Sequence, residues 1–438
     1  MVAIFRPVIH GWDGAAYYSW LRSAVIDGDL DTGDEIKHFE ELQEADVQSQ
    51  RWNDQHGRSA TGLWINHWPV GSAVLWSPFF LAAHGAVRGL SAVGVQIPAD
   101  GYSQPYVWLT MLGTTLWGLA GLLMVYRIGR SLFDDFSATL ASICAWLASP
   151  LVFYMFVSPA MAHSNDVFAN ALFLWVWFVT RERRTAKGWF ALGLAAGLAA
   201  MVRNQNALLV VFPGLELAWT LLHARSARAL PTALRPLGHG VLLAVGALLA
   251  FLPQMVVWQA VFGSFLVLNP QQVSSGLGFD WSAPHLLDSL FSSRGVFVWH
   301  PVLLLGALGL SPLARRDRRL ALFLAINMLL QAYLIGSWDA WQGTPAFGAR
   351  YFLCLLPGFQ LGLTALVAWA RRRASVSVLA GAGAALVVWN GGLLVQYTLQ
   401  LIPRGGDVSV GQMVSNQFLV VPGYVGRVVG LVLAKFGR

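Results

Sequence analysis

Asp13 stands between Trp12 and Gly14 at the head of "WDGAAYYSWLRSAV", a stretch that reads as a helix with Tyr17, Trp20 and Leu21 on one side. A carboxylate there can cap helix amides. Partly desolvated at a membrane surface, it can instead gain the proton affinity that a general base needs to deprotonate a hydroxyl. Downstream, Asp27, Asp29 and Asp31 alternate in "DGDLD". Oxygen ligands so spaced can hold a divalent cation, although the full calcium-loop pattern is missing. Asp34 and Glu35 are placed to cap the next amphipathic stretch, "EIKHFEELQEADVQ", whose apolar face is Ile36, Phe39, Leu42 and Val47.

Two arginines pose a different question. Arg203 opens "RNQN" between two apolar runs, and Arg350 sits in "FGARYF" at the head of another. A guanidinium at the edge of a hydrocarbon core is costly unless it snorkels, pairs with an acid or meets a ligand. A lipid phosphate fits, because a guanidinium offers two parallel donors to its oxygens. In "SWDAWQG", Trp338 and Trp341 flank Asp339. They read either as interface-belt aromatics or as a platform on which rings take a sugar face and the carboxylate its hydroxyls. Tyr351 joins them as a substrate contact, as does Tyr17 on the Asp13 helix. His163 in "AMAHSND" can donate to a phosphate or an acceptor, or hydrogen-bond a helix start.

The elements that position these residues are apolar helices. The chain of 438 residues is 56% hydrophobic and 12% charged, about half the charged share of a soluble domain. Windows of roughly 20 apolar residues recur from Gln104 onward. The fold expected is an all-α polytopic membrane protein, with ten spans at about 104–127, 136–156, 165–180, 188–202, 206–222, 238–260, 296–312, 320–336, 352–370 and 375–397. Residues 401–438 form a surface helix or an eleventh span. Residues 1–100 read as an external head with interfacial helices, and 101–400 as the bundle, with external loops 262–295 and 337–351. The stretch 67–90 spans or lies flat; its Pro69 and Pro78 fit a bent interfacial element.

The net charge of +7 does not point to nucleic acid. Its bases fall in "RIGR" (127–130), "RERRTAK" (181–187), at Arg225, Arg228 and Arg235, in "ARRDRR" (314–319) and in "RRR" (371–373), the distribution of a positive-inside topology. Eleven of the 22 acids lie between Asp13 and Asp54. The loops around His163, Arg203, 262–295 and 337–351 then lie on the opposite face; the acidic head shares it if 67–90 lies flat and is cytoplasmic if 67–90 spans. Cys144 and Cys354 lie in apolar stretches and imply neither a disulfide nor a metal site. No phosphate-binding loop or dinucleotide fingerprint is present, which leaves ATP-driven transport unsupported.

"WDGAAYYSWLRSAVIDGDLD…DE" (12–35), "PAMAHSNDVF" (159–168), "GLAAMVRNQNALL" (197–209) and "WQGTPAFGARYFLCLLP" (341–357) resemble bacterial membrane glycosyltransferases of the GT-C superfamily, related to the dolichyl-phosphate-mannose protein mannosyltransferases. The resemblance runs from about residue 10 to residue 400. It implies a multi-pass protein of the bacterial inner membrane that takes a sugar from a polyprenyl-phosphate donor, with inversion, on the external face. The acceptor is a hydroxyl of a glycan, lipid or protein. It matches Asp13 to the family's essential loop acid, and Arg203 and Arg350 to its lipid-phosphate contacts. No cofactor is implied beyond a possible divalent cation. Two departures stand out. No transmembrane helix precedes the first loop, so either the tail crosses unaided or an upstream span is missing. The family's Asp-Glu pair is Asp13-Gly14 here, which would pass a second acidic role to Asp27, Asp29 or Asp34. The competing readings are a secondary transporter or flippase, which would want polar groups near the midplane in paired halves, and an inactive or truncated homologue.

Overall fold

Apolar periodicity resolves into helices along the described residues. The computed structural model describes residues 5–43, 57–224, 230–406 and 408–427. Among these residues strand pairing is confined to two isolated bridges, Arg58 to Trp64 and Phe279 to Trp338. Val47, Arg225 and Arg228 lie outside the described residues.

Among the described residues, six helices are long and apolar enough to cross a membrane: Gln104–Leu132, Asn204–Leu222, Pro236–Phe262, Arg318–Ser337, Arg350–Ala370 and Val376–Thr398. A seventh candidate, Leu286–Trp299 with Pro301–Arg316, is bent by 104°. Pro301 drives the break by excluding helical backbone from the residue before it, and His300 is extended (φ −128°, ψ 78°). By length and composition these are fewer than the ten to eleven spans expected, the others being shorter or broken helices. The expected 136–156 span divides at 148–150 into Asp135–Leu147 and Leu151–Phe156. The 165–180 and 188–202 spans belong to His163–Thr180 and Ala186–Val202, of 18 and 17 residues. At 1.5 Å per residue these reach about 26 Å, short of the roughly 30 Å hydrocarbon core. Past residue 400, Val410–Leu419 is a helix that Gln396 ties down through Met413 O (3.0 Å) and Gln417 Oε1 (2.8 Å).

The chain divides into two compact units. One comprises Pro7–Met124 and Ser158–Gly278; the other comprises Met1–Arg6, Val125–Val157 and Phe279–Arg438. In the first unit, Ala186–Val202 lies against Leu230–Phe262. Gly193 and Gly197 face the carbonyls of Leu243 and Ala247 so closely that a methyl group at either would collide, the small-residue packing that lets helix backbones approach. Thr185 starts the former helix by accepting the Gly188 amide (3.3 Å).

The segment expected to bend at Pro78 is a continuous 22-residue helix, Gly71–Ala92. Pro78 cannot donate to the carbonyl of Val74, and the Ser77 hydroxyl donates to it instead (2.8 Å). One face, including Trp76, Phe80, Ala83 and Val87, is buried. In the second unit the caps are Asp317, accepting from Leu320 N (3.0 Å), and Ser375, accepting from Val378 N (3.3 Å).

Candidate functional site

Asp13 lies in the first turn of the helix Trp12–Arg22. The N-cap position is Gly11, at φ 71°, so the half-buried carboxylate sits inside the first turn, where the amide ends favour negative charge. Eight consecutive residues behind it, Gly14 to Leu21 and including Tyr17, are buried. A strap before the Gly71–Ala92 helix holds this helix in place. Asn66 Nδ2 donates to Ala16 O (3.0 Å), and Trp20 Nε1 donates to Trp68 O (2.9 Å).

Two glycines bring the motif segments together. A Cβ on Gly14 would stand 2.9 Å from that of Ala160, in the turn leading to His163. A Cβ on Gly71 would run into the backbone of Met201 and Val202, immediately before Arg203. Both close approaches need residues without side chains at those positions, and they tie the Asp13 helix and the strap to the segments bearing His163 and Arg203.

Arg203 interrupts the helical run: its backbone is extended (φ −150°, ψ 124°) between Ala186–Val202 and the 3₁₀ turn Asn204–Val210. The guanidinium Nη1 lies 3.0 Å from His163 Nδ1, and Nη2 donates to Gln205 Oε1 (3.3 Å). Its Nε is 3.8 Å from Asp166 Oδ2. Asp166 is fully buried and accepts on Oδ1 from Asn206 Nδ2 (2.7 Å) and Asn170 Nδ2 (2.8 Å). Two predicted residues, His163 and Arg203, are thus in contact. Asp166, Asn170 and Asn206 are partners that residue type alone does not single out. Their signal is spacing: in "HSNDVFAN", His163, Asp166 and Asn170 stand three and four apart, on one helix face.

The predicted cation triplet does not assemble. Asp29 Oδ1 accepts from Ser23 Oγ (2.8 Å) and from the Asp31 amide (3.0 Å). Asp31 pairs with Arg58 (2.7 Å) and accepts from Trp64 N (3.1 Å). Burial opposes ionisation of Asp31, but Arg58 and the amides of Trp64 and Gly33 hold its carboxyl below the usual range. Asp27 ends the π-helical turn Ser23–Asp27, closed by Gly28 at φ 76°, and Asp29 and Asp31 follow in irregular backbone with partners of their own. Asp27 instead joins Asp34 and Glu35, with ligand oxygens within 4.8 Å of one another. These three could coordinate a divalent cation. As arranged, they surround the Arg22 guanidinium, whose Nη1 pairs with Asp27, with Glu35 (2.9 Å) and with Asp34 (3.3 Å). Burial, reinforced by Asp34, pushes the Glu35 carboxyl up to about 9.

The remaining predicted residues belong to the second unit. Trp338 is buried, its ring 4.8 Å from Phe279. Asp280 N donates to Ser337 O (2.7 Å) and His285 N to Gly336 O (2.7 Å), joining the segment 280–285 to the end of the Arg318–Ser337 helix. Trp341 stacks on His285 at 5.7 Å, while Asp339 is exposed. Arg350 opens a 3₁₀ turn, Arg350–Leu355, with its guanidinium 5.3 Å from the half-buried Tyr351 ring. Gly343, at φ 62°, makes room for both: a Cβ there would stand 3.3 Å from Arg350 Nε and 3.2 Å from Tyr351.

A profile of the family described as dolichyl-phosphate-mannose-protein mannosyltransferase matches residues 106–258, less than half of the chain. Two crystal structures of ArnT from Cupriavidus metallidurans share the fold. The apo state aligns at 16% identity and a TM-score of 0.53, and the state bound to undecaprenyl phosphate at 17% and 0.52. Each alignment covers 99% of this chain and 69% of that one. No curated protein matches by sequence. The chain is an all-α polytopic membrane protein that shares the fold of these two structures.

Proposed function

We propose that this membrane protein is a GT-C glycosyltransferase that moves a sugar from a polyprenyl-phosphate donor to a hydroxyl acceptor at the external face of a bacterial inner membrane. In this reading Arg203, steadied by His163, holds the donor phosphate and offsets the charge that develops as it leaves. Asp13 takes the proton as the acceptor oxygen attacks the anomeric carbon. One bond forms, from acceptor oxygen to sugar carbon, and one breaks, from that carbon to the phosphate oxygen; a single displacement inverts the centre. The acids around Arg22 take no part in the step. In the second unit, Asp339, Trp341, Arg350 and Tyr351 are the proposed substrate contacts, whereas Trp338 is buried.

The observation that carries the reading is the Arg203 cluster: a guanidinium at a helix break, in contact with His163, in the same unit as Asp13 and backed by segments packed against the Asp13 helix. A phosphate-bound relative of the same fold supports the choice of donor class. The test is transfer of label from polyprenyl-phosphate sugars in vesicles containing the chain. Asp13→Asn is expected to lower transfer by about 100-fold or more, the scale of a missing general base, with the protein still inserted. Near-normal transfer would remove Asp13 from the mechanism. Failure of the wild-type chain to transfer any such sugar, together with movement of the lipid between leaflets, would make it a flippase.

A further inference from the structure

We propose that Asp166 is a positioning residue whose carboxylate, locked by two side-chain amides, fixes the orientation in which the Arg203 guanidinium receives a phosphate oxygen. The inference rests on the phosphate role of Arg203 proposed above. Arg203 stands where the backbone leaves the helix, so side-chain contacts must aim its long side chain. Each guanidinium nitrogen has its own neighbour: Asp166 at Nε, His163 at Nη1, Gln205 at Nη2. Of the three, only Asp166 is charged at neutral pH without a proton being gained.

Asp166 is itself immobilised. Asn206 donates to Oδ1 and also to the carbonyl of Ala199 (2.9 Å), so its amide bridges the carboxylate and the end of the preceding helix. Asn170 donates to Oδ1 and to the Asp166 carbonyl (2.9 Å). Both amides are turned donor-first to the carboxylate, leaving their own Oδ1 atoms without a hydrogen bond among the described residues. Such an orientation costs free energy in a buried site, and it saturates one carboxylate oxygen. The other, Oδ2, accepts no hydrogen bond among the described residues and faces Arg203. A buried carboxylate needs a cation nearby. At 3.8 Å the attraction is coulombic, and it does not engage the guanidinium in the bidentate pairing that would consume two of its five N–H groups. The arrangement sets a fixed negative charge against the Nε edge of the guanidinium and so biases its orientation.

The test measures binding of undecaprenyl phosphate to the purified chain, with thermal unfolding recorded alongside. Arg203→Gln should weaken binding. Asp166→Asn should weaken it by about 10-fold, the scale on which a charge-assisted hydrogen bond depends on its orientation, and should add nothing in the Arg203→Gln background. A residue that acted only on stability would lower the melting temperature and add its effect to that of Arg203→Gln. Should Asp166→Asn fail to fold, Asn206→Ala removes one of the two amides and is expected to weaken binding several-fold, again only when Arg203 is present. Unchanged binding by Arg203→Gln would overturn the phosphate reading and this inference with it. Weakened binding by Arg203→Gln, with Asp166→Asn or Asn206→Ala neutral or additive, would overturn this inference alone.

Discussion

Two apolar helices end in similar backbone and in opposite chemistry. After Val202 the chain runs extended through Arg203 into a cluster of amides, a carboxylate and an imidazole; after Ser337 it runs extended through Trp338 into a cluster of rings. The first junction is held by contacts of about 3 to 4 Å whose directions matter. In the second, ring centroids lie about 5 Å apart, and stability comes from apolar area removed from water, which is indifferent to small rotations. Directional contacts can aim a reactive group. Stacked rings mainly fix the shape of a loop.

The sharpest way to break this contrast is at the ring junction. Trp338→Ala should destabilise the chain by about 3–5 kcal/mol, the range for truncating a buried aromatic, while the folded fraction keeps its transfer rate per molecule. Melting in detergent alongside the vesicle assay reads both, and abolished activity with unchanged melting would put Trp338 at the substrate. At the polar junction the pattern reverses. Arg203→Gln should reduce transfer by roughly 10- to 100-fold, as expected for a charged hydrogen bond worth about 1.5–3 kcal/mol, with a smaller change in melting. Arg203→Lys should recover part of the activity, because a point charge replaces the fork.

A pH effect concerns the acid beneath Arg22. With the Glu35 carboxyl raised in the fold to about 9 from an ordinary value near 4.5, the native state holds a proton that the unfolded chain releases. Stability should therefore fall as pH rises between those two values and level off outside them. Glu35→Gln, close in shape to the protonated acid, should flatten that part of the slope and leave stability near pH 4 almost unchanged. An unaltered slope in the variant would mean that Glu35 is ionised beside Arg22.

The helical, membrane-spanning class of the fold was legible because hydropathy alone reports it. The number of spans was not: apolar runs such as 136–156 look continuous in composition, whereas the break after Leu147 depends on how Ser149 and Pro150 redirect the chain. Arg203 and His163 stand out by type, since a base within an apolar run and a histidine beside polar residues are anomalies in one dimension. Asp29 and Asp31 do not separate from Asp27 in sequence, because the turn at Gly28 that sends them to Ser23 and Arg58 is a matter of backbone geometry. Trp338 and Trp341 look like one platform by spacing; burial distinguishes them, and burial depends on Phe279, some sixty residues away along the chain.

The amino-acid order by itself determined that this chain enters a membrane and which residues are chemically conspicuous, because transfer from water and side-chain pKa are properties of residues and short windows. Only the tertiary structure decided that Asp166 would stand beside Arg203, that Arg22 would occupy the midst of the acids, and that Trp338 would turn inward. Each of these depends on distances between segments remote in sequence, where coulombic and packing energies vary over a few ångströms.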